Sequence, residues 1–156
     1  MSRTYDHHFL ERLIDLCEEG QVFYSEMSEK VQSLALSSLF REMSRIRAFI
    51  ATDLRVLQTE VKSSHNCFDA PVDSVKRIHD ELSTASFYDS NDYYFIEPLE
   101  SAEAQALEVF RTGVQTVSDS VLKEKLAIHL ATMQLVHDRL KASKFDLERH
   151  VTRSTP

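Results

Sequence analysis

The sequence predicts an all-α protein built from two helical hairpins. Apolar residues recur every three or four positions along four long segments, which is the period of an α-helix. Only 2 Gly and 3 Pro occur in 156 residues, so the backbone rarely needs a positive φ or a fixed kink. With 42% hydrophobic and 28% charged residues, the chain can form a single domain with a core of its own.

The first hairpin is predicted from two apolar stripes separated by a short polar segment. The first stripe comprises Leu10, Leu13, Ile14, Cys17, Tyr24, Met27 and Val31, and the second comprises Leu36, Leu39, Phe40, Met43, Ile46, Ile50, Leu54, Leu57 and Val61. Ser33 is predicted to be the N-cap of the second helix, because a short hydroxyl side chain can accept hydrogen bonds from the free N–H groups there. A connection this short requires antiparallel helices.

A long crossover follows the first hairpin. Residues 63–73, "SSHNCFDAPVD", are predicted to be a loop because Ser, Asn, Asp and Pro interrupt the apolar pattern. A shorter amphipathic helix then carries Val72, Val75, Ile78 and Leu82 on one side. The irregular segment "SFYDSNDYY" completes the crossover, and exposed aromatic side chains there would support self-association, namely Tyr93, Tyr94 and Phe95.

The second hairpin is predicted from two further stripes. The third long helix begins between Asp92 and Glu97, with Pro98 in its first turn, where a missing N–H is tolerated. Ser118 or Asp119 is expected to cap the fourth helix. The third stripe is Leu99, Ala102, Ala106, Phe110, Val114 and Val117, and the fourth is Leu122, Leu126, Leu130, Met133, Val136, Leu140 and Leu147. Residues 1–150 are assigned to the domain and residues 151–156 to a polar C-terminal tail.

Two hairpins joined by about thirty residues correspond to the ferritin-like version of the four-helix bundle. The long crossover allows the third long helix to run parallel to the second, whereas a simple up-and-down bundle would need only a short link. The predicted fold class is therefore an all-α, ferritin-like four-helix bundle with a short extra helix in the crossover.

Charge and composition argue against several classes of protein. A net charge of −7 and a pI near 5.5 disfavour nucleic-acid binding and docking on anionic lipid, which both need basic surfaces. No apolar run could span a bilayer, and the first residues contain no apolar signal segment. Two cysteines do not make a disulfide framework, so we expect a cytoplasmic protein with Cys17 and Cys67 reduced.

Ferritin-like bundles can hold two metal ions. Their ligands are one inward Glu from each of two helices and a Glu-x-x-His pair from each of the others. The candidate ligands for iron or manganese here are Glu18, Glu42, Glu100, Glu103 and His137. The middle level of the bundle, where a metal pair would lie, is predicted near Glu18, Ile46, Glu103 and Met133.

Each Glu-x-x-His pair has lost one member. Three residues after Glu42 stands Arg45, a fixed cation that cannot bind a metal, and three residues before His137 stands Gln134. These two replacements favour an ordinary polar cluster over a metal centre.

That polar cluster would consist of Arg47, Glu103 and His137, joined by salt bridges and hydrogen bonds inside the bundle. A third alternative is a histidine phosphotransfer bundle, suggested by "HDRLKAS" with His137 as the phosphoacceptor. Its Leu–Lys pair comes one position too late, which turns that pair by about 100° relative to the histidine.

Five other side chains have predicted environments. His7 and His8 are expected on the solvated surface at the start of the first helix. His129 lies near an apolar stripe and is expected to be a core histidine with one hydrogen bond. Tyr24 is expected in the core with a partner for its hydroxyl group, and Cys17 as a small buried apolar residue.

Four short segments resemble a known family. These are "LIDLCEEG" at 13–20, "LFREMSRIRAF" at 39–49, "LESAEAQALEVFR" at 99–111 and "VHDRLKA" at 136–142, which are similar to segments of bacterial ferritin-like proteins of unknown function. The resemblance implies a soluble helical bundle, more plausibly non-enzymatic, in bacterial stress response or metal handling. The alternative is an iron- or manganese-binding protein with oxidase or peroxide chemistry. A homo-oligomer, most simply a dimer, is expected, with no nucleic-acid or membrane partner.

Overall fold

The computed structural model of the protein describes residues 3–58, 70–84 and 93–154 and is all-α. Its helices are α1 (Arg3–Lys30), α2 (Leu34–Gln58), α3 (Ala70–Thr84), α4 (Tyr93–Thr116) and α5 (Ser120–Ser154). No strand occurs in these three described ranges. The prediction of an all-helical chain is therefore confirmed.

The first hairpin turns through residues 31–33. The Ser33 hydroxyl oxygen accepts a hydrogen bond from the backbone N–H of Leu36 at 3.2 Å, which confirms Ser33 as the N-cap of α2. Ser37, one turn into α2, donates its hydroxyl to the carbonyl oxygen of Ser28 at 2.6 Å and so ties α2 back to α1.

The second hairpin turns through residues 117–119. Asp119 accepts a hydrogen bond from the backbone N–H of Leu122 at 2.9 Å, so Asp119 caps α5. Asp6 of α1 also reaches this turn and accepts from the backbone N–H groups of Ser118 at 3.0 Å and Asp119 at 2.9 Å. A carboxylate is stabilised there by the free N–H groups and the dipole at a helix start.

Contacts between helices fix their directions. Near the start of α1, Tyr5 donates to the hydroxyl of Thr116 at the end of α4, and further along α1, Tyr24 donates to Glu103. The helices α1 and α4 are therefore antiparallel. Because α1 and α2 form an antiparallel hairpin, α2 and α4 run parallel, as predicted.

The helix of the crossover, α3, packs against α4 and α1. Its residues Val75 and Leu82 are buried, and its His79 ring stacks on Phe23 of α1 with 4.1 Å between ring centroids. The α1/α4 side of the molecule is thus covered by α3.

The predicted crossover loop was too long at its C-terminal end. Because α3 begins at Ala70, residues 70–73 are helical, and Pro71 occupies the first turn, where no N–H is needed. Residues 63–69 lie outside the described ranges.

The start of α4 at Tyr93 lies within the predicted range from Asp92 to Glu97, whereas the place of Pro98 in the helix and the end of the last helix differ from the predictions. Pro98 lies in the second turn of α4, because the helix begins at Tyr93 and buries Ile96 completely. The last helix, α5, continues to Ser154, so most of the predicted tail at 151–156 is helical. None of the helices in the described part of the chain is long and apolar enough to cross a membrane.

The buried apolar residues form two clusters along the helix axes. The first contains Phe9, Leu13, Phe110 and Leu126, and the second contains Tyr24, Phe40, Leu99 and Leu140, among others. The clusters meet at the level of Arg47, midway along α2, and the buried side chains of Arg47 and Glu103 lie at this boundary.

Candidate functional site

Three buried polar side chains from three helices meet where the two core clusters join. The Nη2 atom of Arg47 on α2 donates to Oε1 of Glu103 on α4 at 2.6 Å, and the hydroxyl of Tyr24 on α1 donates to the same oxygen. Arg47 is 3% exposed, Glu103 2% and Tyr24 0%. We call Tyr24, Arg47 and Glu103 the central triad. The predicted partners of Arg47 and of the Tyr24 hydroxyl are confirmed.

Burial and charge together set the protonation of the central triad. Burial alone would lower the pKa of Arg47, but the interactions with Glu103, Cys17 and Tyr24 together outweigh it, so that the pKa of the guanidinium is raised above its usual range. Burial, reinforced by the negative charge of Glu103, raises the pKa of Tyr24 well above its usual value. Arg47 is therefore cationic and Tyr24 a neutral donor at neutral pH.

Cys17 lies beside the triad and is completely buried. Burial raises the pKa of its thiol to about 11, although the nearby Arg47 acts in the opposite direction. A nucleophilic or metal-binding cysteine must be a thiolate, and Cys17 is a thiol at neutral pH. The prediction of a small buried apolar residue is confirmed. Cys67 lies outside the described residues.

Gly20 makes room for the Arg47 side chain. A Cβ atom at Gly20 would lie 3.3 Å from Cγ of Arg47, closer than most such contacts, and 3.5 Å from Cδ, which is an ordinary contact distance. Glycine inside a helix costs roughly 0.5–1 kcal/mol relative to alanine, and here it lets the arginine stem lie directly on α1. The glycine at this position therefore helps to place the guanidinium at the centre.

A cavity of about 10 Å³ adjoins the central triad. It is lined by Met43, Ile46, Arg47, Glu103, Met133 and Val136. Three of the four residues predicted at the middle level, Ile46, Glu103 and Met133, therefore surround one point. The volume is about that of one water molecule, so this cavity does not accommodate an organic substrate.

Four of the predicted metal ligands are carboxylates that each have a cationic partner. Glu103 is the buried one, held by Arg47. The others are ion-paired nearer the surface: Glu18 with Arg55, Glu42 with Arg139 at 2.7 Å, and Glu100 with Lys144 at 3.0 Å. Glu18 therefore does not join the middle level, because it lies at the edge of the apolar stripe and turns towards α2.

His137, the fifth predicted ligand, stands apart from the central triad. Both of its ring nitrogens are buried, and neither has a hydrogen-bond partner among the described residues. The predicted cluster is therefore correct for Arg47 and Glu103 and wrong for His137. Gln134 points elsewhere, because its side-chain amide donates to Asp138 at 3.1 Å one turn along α5.

This donor set does not fit a dinuclear metal centre. Within the described ranges, no group of three or more His, Cys, Asp or Glu side chains is placed to hold a metal ion. Glu103, the one buried carboxylate among the candidate ligands, already neutralises the guanidinium of Arg47, and a metal dication beside that guanidinium would be repelled.

His7, His8, His79 and His129 are also buried. The prediction of exposed His7 and His8 is wrong, because α1 begins at Arg3 and both residues lie within its packed part, 4% and 7% exposed. His7 pairs with Glu11 at 3.2 Å. His129, 4% exposed, contacts Asp53 at 2.6 Å, so its prediction as a core histidine with one hydrogen bond is confirmed.

Sequence reasoning missed three polar contacts that hold the helices together. These involve Asp6 at the second turn, Asp53 between α2 and α5, and His79, whose Nδ1 lies 3.3 Å from Glu19 of α1. The sequence signal for each of these contacts was a polar residue at the margin of an apolar stripe. The aromatic residues Tyr93, Tyr94 and Phe95 belong to the first turn of α4, but their side chains lie outside the described part.

Comparisons with protein-family models, with curated proteins and with solved structures find no match for this chain. The resemblance to bacterial ferritin-like proteins therefore stays a prediction from the sequence. The arrangement of the described side chains carries the functional interpretation.

Proposed function

We propose that this chain is a ferritin-like four-helix bundle that acts as a non-enzymatic binding protein. The central triad carries this proposal. In it, the guanidinium of Arg47 occupies the middle of the helical core, and both Arg47 and Tyr24 donate to Oε1 of Glu103. An internal cation fixed by the protein takes the place that a metal ion would have in such a bundle.

The chemistry of the triad supports a structural role for this centre. A catalytic acid or base needs a pKa near the working pH, whereas the pKa values of Arg47 and Tyr24 are displaced upwards, away from neutrality. The adjoining cavity of about 10 Å³ leaves no room for a substrate at this position. Function would then depend on what the outer surface binds.

The cellular role in this proposal comes from the sequence resemblance, which points to bacterial stress response or metal handling. The proposal also includes self-association as a homodimer in the cytoplasm. Metal handling would require contact with a metal-carrying partner, because the proposed bundle has no metal centre of its own.

Metal analysis tests the proposal. The full chain is purified without chelators, loaded with iron or manganese, desalted and measured by elemental analysis. We expect fewer than about half a metal ion per chain, and the same value for Glu103→Gln. The matched control is Glu108→Gln, which alters an exposed carboxylate of the same helix outside the candidate ligands. One or two metal ions per chain, lost in Glu103→Gln and kept in Glu108→Gln, would overturn the proposal.

The second candidate is an iron- or manganese-binding protein. The observation that favours it is His137, whose two buried ring nitrogens have no partner among the described residues. This function would require Glu103 to exchange Arg47 for a metal ion and neighbouring carboxylates to leave their ion pairs. The metal measurement separates the two candidates directly.

The histidine phosphotransfer alternative depends on His137 alone. A phosphoacceptor must meet a partner domain in solvent, and both ring nitrogens of His137 are buried. That alternative would therefore require α5 to turn or to separate from its neighbours.

A further inference from the structure

Exposed apolar side chains concentrate on two helices. All but one of the large apolar side chains that are exposed in the described ranges lie on α2 and α5. Five of them form two lines at seven-residue spacing, Phe49 and Val56 on α2, and Val121, Ile128 and Leu135 on α5. Seven residues make about two helical turns, so each line runs along one side of its helix. We call these five residues the α2/α5 face.

A groove lies between the two helices at the Leu135 end of the α2/α5 face. It has a volume of about 540 Å³, and its lining includes Ile46 of α2 and Leu135, Val136 and Arg139 of α5. The Phe49 ring on α2 stands 6.2 Å from the His129 ring on α5, measured between centroids. The ion pairs Glu42–Arg139 and Asp53–Lys125 connect the helices antiparallel beneath the face.

The opposite side of the molecule shows how such a groove is filled. There α3 lies against α1 and α4 and buries Val75 and Leu82. No described helix covers the groove between α2 and α5, where Phe49 is 68% and Leu135 67% exposed. The apolar surface is thus confined to the side that lacks a covering helix.

The size of the α2/α5 face matches a homodimer interface. Its side chains are 54% to 68% exposed, which amounts to roughly 500 Å² of apolar surface. A standard interface buries about 800 Å² on each partner, and about 65% of a homodimer interface is apolar. The apolar part of one partner is then also about 500 Å².

Charge makes this face suited to a second copy of the chain. The whole chain carries −7, so two copies repel each other over most orientations. Beside the face, Glu42 and Asp53 are each neutralised by an ion pair, with Arg139 and Lys125 respectively. Two copies can therefore approach here without the general repulsion.

The face is also complementary to itself. Val121, Ile128 and Leu135 form a ridge on α5, and the groove lined by Ile46 and Val136 lies beside the Leu135 end of this ridge. A two-fold axis places the ridge of each copy in the groove of the other. A single foreign helix would fill the groove and leave the ridge in water. We propose that a second copy of this chain docks on the α2/α5 face about such an axis.

The interface rests on the proposed binding function, for which it specifies a second copy of the chain as the partner. Sedimentation equilibrium of the full chain tests it. We expect a mass twice the 18.0 kDa of one chain. Ile128→Glu and Leu135→Glu would each bury an unpaired charge and should raise the dissociation constant at least about a hundredfold. The control is Val22→Glu on α1, which is exposed outside the face and should leave the mass unchanged. Circular dichroism checks that each variant keeps its helix content.

Three results would overturn the interface. The first is a wild-type chain that is still monomeric at about 100 µM, a concentration at which even a weak dimer would be detected. The second is a dimer that both glutamate variants leave intact. The third is a dimer that Val22→Glu disrupts as strongly as Ile128→Glu. Mass and metal content are separate measurements, so failure here is distinguishable from failure of the metal-free proposal.

Discussion

Glu103 is the residue that holds the central triad together, because Arg47 and Tyr24 both donate to its Oε1. Cys17 lies within the electrostatic influence of the same pair and is completely buried. The cation would favour a thiolate, and burial disfavours it more strongly. The opposing effects of burial and of the Arg47 charge thus decide whether the Cys17 thiol is reactive, and burial makes it inert.

Cys17 should therefore be unreactive in the folded protein. With its thiol pKa raised to about 11, very little thiolate exists at pH 8, and the side chain is shielded from reagents. The measurement is labelling with a thiol-specific disulfide reagent in a Cys67→Ser background, where Cys17 is the only thiol. We expect labelling only at the rate of unfolding, and complete labelling in denaturant. Rapid native labelling would show that the thiol is accessible or activated.

At the scale of helices, the sequence predicted the hydrogen bonds that join residues only a few positions apart. Ser33 and Asp119 were identifiable as caps because a cap bonds to N–H groups two or three positions away. Asp6 was not, because its partners at the second turn are more than a hundred positions along the chain. His7 and His8 were wrongly predicted to be exposed, because α1 starts earlier than the apolar stripe alone suggests.

Asp53 links α2 to α5 and should make stability depend on pH. Burial tends to raise its pKa, but hydrogen bonds from Lys125 and His129 outweigh this and lower it. A carboxyl whose folded pKa is lowered stabilises the fold above its unfolded pKa of about 3.9, and this contribution is lost as the pH falls through the folded pKa.

The test compares urea unfolding of the wild type with Asp53→Asn across pH. We expect the wild type to be more stable by roughly 1–2 kcal/mol above about pH 5, with the difference shrinking as the pH falls below about 4 and through the lowered pKa of Asp53. The control is Asp15→Asn, whose exposed pair with Lys76 should contribute little. A difference that persists unchanged in acid would contradict the assignment to the charge of Asp53.

At the scale of the whole molecule, the apolar periodicity predicted the number and order of the helices and the parallel course of α2 and α4. It also placed Arg47 and Glu103 on inward lines, so their pairing was predictable from sequence. The separation of His137 from that pair was not, because a rotation of a few tens of degrees about the α5 axis decides what a side chain meets. The spacing of residues along the sequence does not reveal such a small rotation of a helix.

The central triad should specify the packing of α1, α2 and α4 more than it stabilises them. Removing one partner, as in Arg47→Met or Glu103→Leu, leaves a buried charge unpaired and should cost roughly 3–5 kcal/mol of unfolding free energy. The double variant removes both charges and replaces them with apolar side chains, so its stability should return to the wild-type value or exceed it. Urea unfolding of all four proteins gives the coupling between the two positions. If the two losses simply add, the pair contributes net stability, and its role would be structural reinforcement of the three helices.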